Sequence, residues 1–128
     1  MPTNPVISVM VADDDPGFLA ALVEFIDGEP GFEVVGAATT TAALVALVRV
    51  HCPDVAVVDV RMPGGGAAEA AEALQVCCPR TAVVALSAYA DRSARVRLTA
   101  AGAVGPLAKG MPGAELLEVI SAAVADRR

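Results

Sequence analysis

The stretch from Val6 to Pro16, VISVMVADDDP, joins an apolar run to three aspartates and a proline. Its first part, VISVMVA, is typical of a strand that is buried on both faces, because such a strand lacks polar alternation. Three aspartates end this apolar run, and Pro16 suits the first turn of a helix for which Asp15 supplies the N-cap. The stretch therefore predicts a strand at residues 6–12, an acidic turn, and a helix that continues to Gly28.

The same alternation of strand and helix continues through the rest of the chain. Further apolar strands are predicted at residues 32–38, 55–59, 81–86 and 104–108. Helical spacing or composition predicts helices at residues 40–50, 67–77, 91–101 and 113–126, with a loop at residues 61–66. Right-handed crossovers between such strands make the sheet parallel and cover both of its faces. The predicted fold is therefore α/β, a doubly wound five-stranded parallel sheet with five helices.

Length and composition narrow the function further. The 128 residues correspond to one domain, residues 1–128. A net charge of −6 and an aromatic content of 3% argue against direct nucleic acid contact, which favours basic surfaces and stacking aromatics. The longest uncharged apolar run, residues 34–48, is too short to cross a membrane, and the N-terminus has no basic start of a signal peptide. We therefore expect a cytoplasmic protein without membrane contact, in which all three cysteines are reduced and the adjacent Cys77 and Cys78 are small buried side chains.

Charged and polar side chains follow four of the five predicted strands. Asp13 and Asp14 follow the first strand, Asp59 ends the third, Ser87 follows the fourth and Lys109 follows the fifth. In a parallel sheet these strand ends meet at one edge, which is where ligands bind in such folds. We therefore expect these side chains to converge on one small volume.

The chemistry of this set is that of phosphoryl transfer. Carboxylates held close together repel one another, and Mg²⁺ relieves the repulsion while keeping waters that a phosphate can replace. Lys109 and Ser87 can contact phosphate oxygens, and Asp59 is a carboxylate that can attack phosphorus. The residues therefore predict transfer of a phosphoryl group onto Asp59.

At these positions the chain resembles the response-regulator receiver domain of two-component systems. The resemblance rests on residues 11–16 (VADDDP), 53–64 (PDVAVVDVRMPG), 85–89 (ALSAY) and 101–110 (AGAVGPLAKG). The resemblance covers a core of about residues 6–125. The chain is most similar to receivers that precede helix-turn-helix output domains. The resemblance implies the flavodoxin-like strand order 2-1-3-4-5.

The resemblance also implies a metal site and a phosphoryl donor. A sensor histidine kinase would donate its phosphoryl group to Asp59. Asp14 and Asp59 would bind Mg²⁺ directly, Asp13 partly through water, and the main-chain carbonyl of Arg61 would be the third protein ligand.

The remaining site residues act on the phosphoryl group in this interpretation. Ser87 and Lys109 would hold its oxygens, and Ser87 would move on activation. Arg61 and Tyr89 would flank the path of the attacking water and so modulate hydrolysis. The domain would be a switch rather than a turnover enzyme, catalysing only its own phosphorylation and dephosphorylation.

Three positions depart from the pattern of the family. Gly66 and Ala67 stand where many relatives have Asp or Asn followed by Gly. Pro106 stands at a position that is commonly aromatic, which puts an aromatic rotamer switch in doubt, and Asp15 replaces a frequent His or Glu. None of these changes removes a predicted site side chain.

Other functions stay open at this point. One is a receiver fold kept as a protein-interaction module that is never phosphorylated. Another is an aspartate-nucleophile phosphatase that uses Asp13 and Asp15, and a third is a flavodoxin-like cofactor binder. The expected output is the control of transcription. A homodimer formed on phosphorylation is one candidate for the oligomeric state. The sequence names neither the kinase nor the regulated process.

Overall fold

The computed structural model describes residues 5–89 and 92–127, in which strands and helices alternate from end to end. The strands are β1 (Ile7–Ala12), β2 (Phe32–Ala38), β3 (Val55–Asp59), β4 (Ala82–Ser87) and β5 (Val104–Ala108). The helices are α1 (Pro16–Asp27), α2 (Thr41–His51), α3 (Ala67–Cys77), α4 (Arg92–Ala100) and α5 (Gly113–Ala125).

The five strands form one parallel sheet in the order β2-β1-β3-β4-β5. This confirms the predicted fold class and strand order. The order reverses between β1 and β3, and a crevice forms at such a switch point outside the carboxyl ends of the strands. The topology therefore places the ends of β1 and β3 side by side.

Helices cover the sheet on both faces, which explains the unbroken apolar strands. On one face, α1 and α5 contribute Leu22, Ile26 and Ile120 to a core with alternate residues of β1 and β3. On the other face, α2 and α3 pack through Leu44, Leu74 and several small alanines. Every residue of β3 is buried, so the carboxylate at its end is held on the most central strand.

The predicted boundaries agree with the structure within one residue. Asp15 caps α1, as predicted, because its side chain accepts hydrogen bonds from the N–H groups of Gly17 and Phe18, and Thr40 caps α2 by accepting one from Ala43. The fourth strand begins and ends one residue later than predicted, so Ser87 is its last residue rather than the residue after it. The predicted start of the fourth helix, Asp91, lies outside the described residues.

The three cysteines do not share one environment. Cys78 is buried, as expected for a small apolar side chain, and Cys77 is half-buried. Cys52 is exposed, because it lies beyond the last turn of α2 rather than on its packed face.

Among the described residues, no helix combines the length and the apolar character needed to cross a bilayer. This agrees with the apolar run at residues 34–48, which the fold divides between a strand and a helix.

Candidate functional site

Three carboxylates meet at the switch point of the sheet. Asp13 and Asp14 directly follow β1, and Asp59 ends β3. One carboxylate oxygen from each lies within 4.8 Å of the other two, and this is the one such group of acidic, histidine or cysteine ligands in residues 5–89 and 92–127. Asp13 and Asp59 are buried while Asp14 is exposed, so the cluster opens to solvent on one side. Oxygen donors at this spacing fit a hard divalent cation such as Mg²⁺.

Asp13 is fixed through both of its carboxylate oxygens. The backbone N–H of Asp15 donates to Oδ1 at 2.8 Å, and Nζ of Lys109 lies 2.6 Å from Oδ2. The main-chain N–H of Asp13 donates to the carbonyl of Ala38 on β2. Asp13 therefore connects the acidic turn, the neighbouring strand and the lysine at the site.

Lys109 is the cation of the site. Its Nζ lies 2.6 Å from Asp13 Oδ2, 3.5 Å from Asp59 Oδ2 and 4.7 Å from the centre of the Phe18 ring. Burial opposes the charged form, but the hydrogen bond to Asp13 and the charge of Asp59 outweigh it and raise the pKa of Lys109. Lys109 therefore pairs with both buried carboxylates, and its contact with Asp13 is the shorter of the two.

The surroundings of Asp59 disfavour its charged form and raise its pKa. Burial raises its pKa above the usual value, the Arg61 N–H that donates to Oδ1 at 3.3 Å lowers it, and the charge of Asp13 raises it again. Lys109 offsets only part of this. A carboxylate in this environment gains from a further positive charge.

Ser87 lies at the same edge with its hydroxyl already engaged. Its Oγ donates to the main-chain carbonyl of Tyr89 and accepts from the Tyr89 N–H at 3.2 Å. Its own carbonyl accepts from the Lys109 N–H at 3.0 Å, which ties the ends of β4 and β5 together. The side chains of Arg61 and Tyr89 are exposed near this edge.

The structure brings four of the predicted site residues together and places the other three at the rim of the cluster. The four are Asp13, Asp14, Asp59 and Lys109, and the three are Ser87, Arg61 and Tyr89.

The loop after β3 depends on a residue that the sequence analysis missed. Thr41 is buried, its N–H donates to the Pro63 carbonyl at 2.9 Å, and its Oγ1 accepts from the Gly66 N–H at 2.9 Å. Gly66 has φ of +82°, and a Cβ there would collide with the carbonyl oxygen of Val60. A signal for this role was present in the sequence. Thr41 lies three residues after the end of β2, and therefore at the same edge of the sheet as the predicted site residues.

Phe18, on the first turn of α1, also contacts the site. Its ring faces the Lys109 ammonium, an arrangement in which the negative face of the ring attracts a cation. Phe18 and Lys109 are far apart in sequence and line the same pocket only in the folded chain, so the sequence carried no signal for this contact.

Comparison with known proteins identifies the family of the chain. The family profile of the response regulator receiver domain matches residues 9–121. The chain belongs to the response regulator receiver domain family. This receiver domain is 32% identical over 114 residues to the probable transcriptional regulatory protein NarL of Mycobacterium tuberculosis, covering 89% of this chain and 53% of NarL. It is 34% identical over 122 residues to the transcriptional regulatory protein DesR of Bacillus subtilis, covering 95% of this chain and 60% of DesR.

Solved structures support the same assignment. The signal receiver domain of the putative response regulator NarL from Mycobacterium tuberculosis superposes with a TM-score of 0.89 at 30% identity, covering 95% of this chain and 98% of that one. The predicted function, a receiver domain of two-component response regulators, is thereby confirmed. The receiver domain spans about half the length of the curated relatives it matches.

The phosphatase alternative finds no support in the geometry of this receiver domain. It requires Asp13 and Asp15 as a catalytic pair. Asp15 instead accepts hydrogen bonds from the N–H groups of Gly17 and Phe18 at the start of α1, and it is not part of the carboxylate group. The acidic turn is therefore divided between helix capping and the site.

Proposed function

We propose that this receiver domain accepts a phosphoryl group from a sensor histidine kinase on Asp59 and changes conformation in response. The observation that carries the proposal is the buried carboxylate of Asp59, which shares one small volume with two further carboxylates and the Lys109 ammonium. In this arrangement the Asp59 carboxylate can attack phosphorus, and the Lys109 ammonium can contact the phosphoryl oxygens.

The metal site in this proposal consists of Asp13, Asp14, Asp59 and the main-chain carbonyl of Arg61. The carboxylate donors fit Mg²⁺ by their chemistry and spacing. When bound, the ion would supply positive charge that offsets the repulsion among the carboxylates and the incoming phosphoryl group.

The chain's own residues then have distinct tasks. A carboxylate oxygen of Asp59 bonds to phosphorus while the bond from phosphorus to the donor's imidazole nitrogen breaks. Lys109, already 3.5 Å from Asp59 Oδ2, contacts a phosphoryl oxygen. Ser87 leaves its hydrogen bond with the Tyr89 carbonyl and donates to another phosphoryl oxygen. The exchange of that hydrogen bond couples phosphorylation to the segment after β4.

The output that we propose is control of transcription in the cytoplasm. Support comes from the relatives, which are named as regulators of transcription and extend well beyond the region that matches this chain. The net charge of −6 supports DNA contact through a separate output domain rather than through the receiver. A homodimer formed on phosphorylation is the proposed active form, and analytical ultracentrifugation of phosphorylated and unphosphorylated chain tests it.

The acceptor residue is tested with a small-molecule phosphodonor, such as acetyl phosphate, and Mg²⁺. We expect intact-mass spectrometry to show one added phosphoryl group on the wild-type chain and none on Asp59→Asn. Asp27→Asn is the matched control, because Asp27 accepts from the Val34 N–H at the far end of α1 and an asparagine oxygen can do the same. Labelling of Asp59→Asn at the wild-type level would reject the assignment.

Two further measurements separate the remaining functions. Beryllofluoride, which mimics the phosphoryl group, should bind only when a divalent cation is present, and binding in EDTA would contradict the metal role of the carboxylates. A chain that takes up neither phosphoryl group nor beryllofluoride would be the interaction module. Sustained turnover of an aryl phosphate would instead indicate a phosphatase.

A further inference from the structure

Two cysteines contact each other at the edge of the sheet opposite to Asp59. Cys52 caps the end of α2 and Cys78 caps the end of α3, and their Sγ atoms lie 2.6 Å apart. The two residues are 26 positions apart in sequence, so only the packing of α2 beside α3 brings them together.

The backbone at Cys52 is unusual and serves this contact. Cys52 has φ of +39°, the one positive value among the described residues other than glycine. Glycine or asparagine is the ordinary residue at this position of a helix end, because a Cβ makes the left-handed conformation costly. Here the conformation turns a cysteine, rather than a glycine, toward α3.

The two thiols differ in accessibility. Cys52 is exposed and lines an open pocket of about 370 Å³ together with Cys77, Cys78 and Arg80. Cys78 is buried, its Sγ faces the Val48 carbonyl, and burial with the nearby Cys52 thiol raises the pKa of Cys78 to about 12. A dissolved oxidant therefore reaches Cys52 first. The buried Cys78 thiol lies in contact with Cys52 and can react with it in a second step.

We propose that Cys52 and Cys78 form a reversible intramolecular disulfide when the protein meets hydrogen peroxide. The Cys52 thiol gives up its proton, its sulfur bonds to one peroxide oxygen, and the O–O bond breaks; the departing hydroxide takes up that proton as water and leaves a sulfenic acid on Cys52. The sulfur of Cys78 then bonds to the Cys52 sulfur, the S–O bond breaks, and a second water carries away the oxygen and the proton. Two thiols and one peroxide thus give one disulfide and two waters.

The disulfide would act on α2 and α3, the two helices that hold the loop at residues 61–66. At their near ends, α2 and α3 are already joined by the hydrogen bond from the Gly66 N–H to Thr41. The disulfide would join their far ends and enclose β3, Asp59 and residues 61–66 in one covalent loop. Closing a loop of this length restricts the unfolded chain, and the expected result is a rise of about 10 °C in Tm.

The test uses the 128-residue chain treated with hydrogen peroxide in the native state. We expect the number of free thiols to fall from three to about one, with a loss of two hydrogen atoms in mass, and peptide mapping to join Cys52 to Cys78. Dithiothreitol should reverse both the mass change and the rise in Tm. Cys77→Ser is the matched control and should behave like the wild type, whereas the exposed Cys52→Ser should keep the fold and lose the disulfide.

Several results would overturn the proposal. They are three intact thiols after excess peroxide, a bond from Cys77 to either neighbour, a disulfide between two chains, and irreversible oxidation of Cys52 alone. Equal rates of bond formation in the native chain and in urea would also overturn it, because the folded structure would then contribute nothing to the pairing.

Discussion

At the scale of single residues, Lys109 offsets part of the negative charge of the site. It contacts two carboxylates and an aromatic ring, and its side chain is only 17% exposed. Removing one partner of a partly buried charge group leaves the others uncompensated. The residue therefore links the stability of the resting site to its response.

The first prediction concerns Lys109→Ala. We expect the variant to fold but to bind beryllofluoride at least about tenfold more weakly, because a charge-assisted hydrogen bond contributes about 1.5–3 kcal/mol. Isothermal titration calorimetry measures this, since the chain has no tryptophan to report binding by fluorescence. Arg49→Ala removes a cation from an exposed position of α2 and serves as the control. Wild-type affinity and conformational response in Lys109→Ala would show that the lysine contacts are unimportant.

The second prediction concerns the lifetime of the phosphorylated state. The exposed side chains of Arg61 and Tyr89 can cover the phosphoryl group, Arg61 through its charge and Tyr89 through its ring. Replacing both with alanine should shorten the half-life by a factor of about 10, which corresponds to about 1.4 kcal/mol of barrier. The decay of the phosphorylated mass at saturating Mg²⁺ measures it. Tyr89→Phe keeps the ring and should decay like the wild type, and an unchanged rate in the double variant would contradict the shielding role.

At the scale of elements, the site depends on how α2 holds the loop that follows β3. Gly64, Gly65 and Gly66 all have positive φ, so the loop adopts a conformation that other residues resist. Thr41 supplies both a donor and an acceptor to this loop from the first turn of α2. The predicted loop is thus tied to α2 at Gly66.

The third prediction concerns Thr41→Val, which keeps the side-chain shape and removes the hydroxyl. The Gly66 N–H then loses its acceptor, and an unsatisfied buried donor costs about 1–3 kcal/mol of unfolding free energy. Urea denaturation measures the loss as a lower midpoint at unchanged slope. Thr39→Val, at an exposed position just before α2, should change stability by less than about 0.5 kcal/mol. Equal effects of the two substitutions would rule out a special role for Thr41.

At the scale of the whole molecule, the fold maintains a concentration of negative charge at one edge. The chain carries a net charge of −6, and three of its carboxylates lie within 4.8 Å of one another. The buried strands that position them also prevent them from moving apart. Stability and cation binding are therefore coupled.

The fourth prediction is that Mg²⁺ stabilises the folded chain. At 100 times its Kd the ion should add about 2.7 kcal/mol to the unfolding free energy, because it binds only the assembled site. Since the pKa of Asp59 is raised by burial, the gain should disappear as the pH falls through that raised value and the carboxyl binds a proton instead. Thermal melts across a pH series measure this. Asp59→Asn should gain much less from Mg²⁺, and an equal gain in both proteins would place the ion elsewhere.

The fold and the main acidic and basic side chains of the site follow from local pattern. Unbroken apolar strands require cover on both faces, and a parallel sheet brings its strand ends to one edge. That reasoning is enough to place Asp13, Asp14, Asp59 and Lys109 together, because it depends only on where each strand ends.

Contacts between distant elements required the tertiary structure. Lys109 contacts Asp13 more closely than Asp59, Thr41 holds Gly66, and Cys52 meets Cys78. These contacts depend on side-chain directions and on the spacing between helices. The patterns of hydrophobicity and turn residues along the chain report which face of an element is buried, but they carry no information on which residue of a neighbouring element it meets.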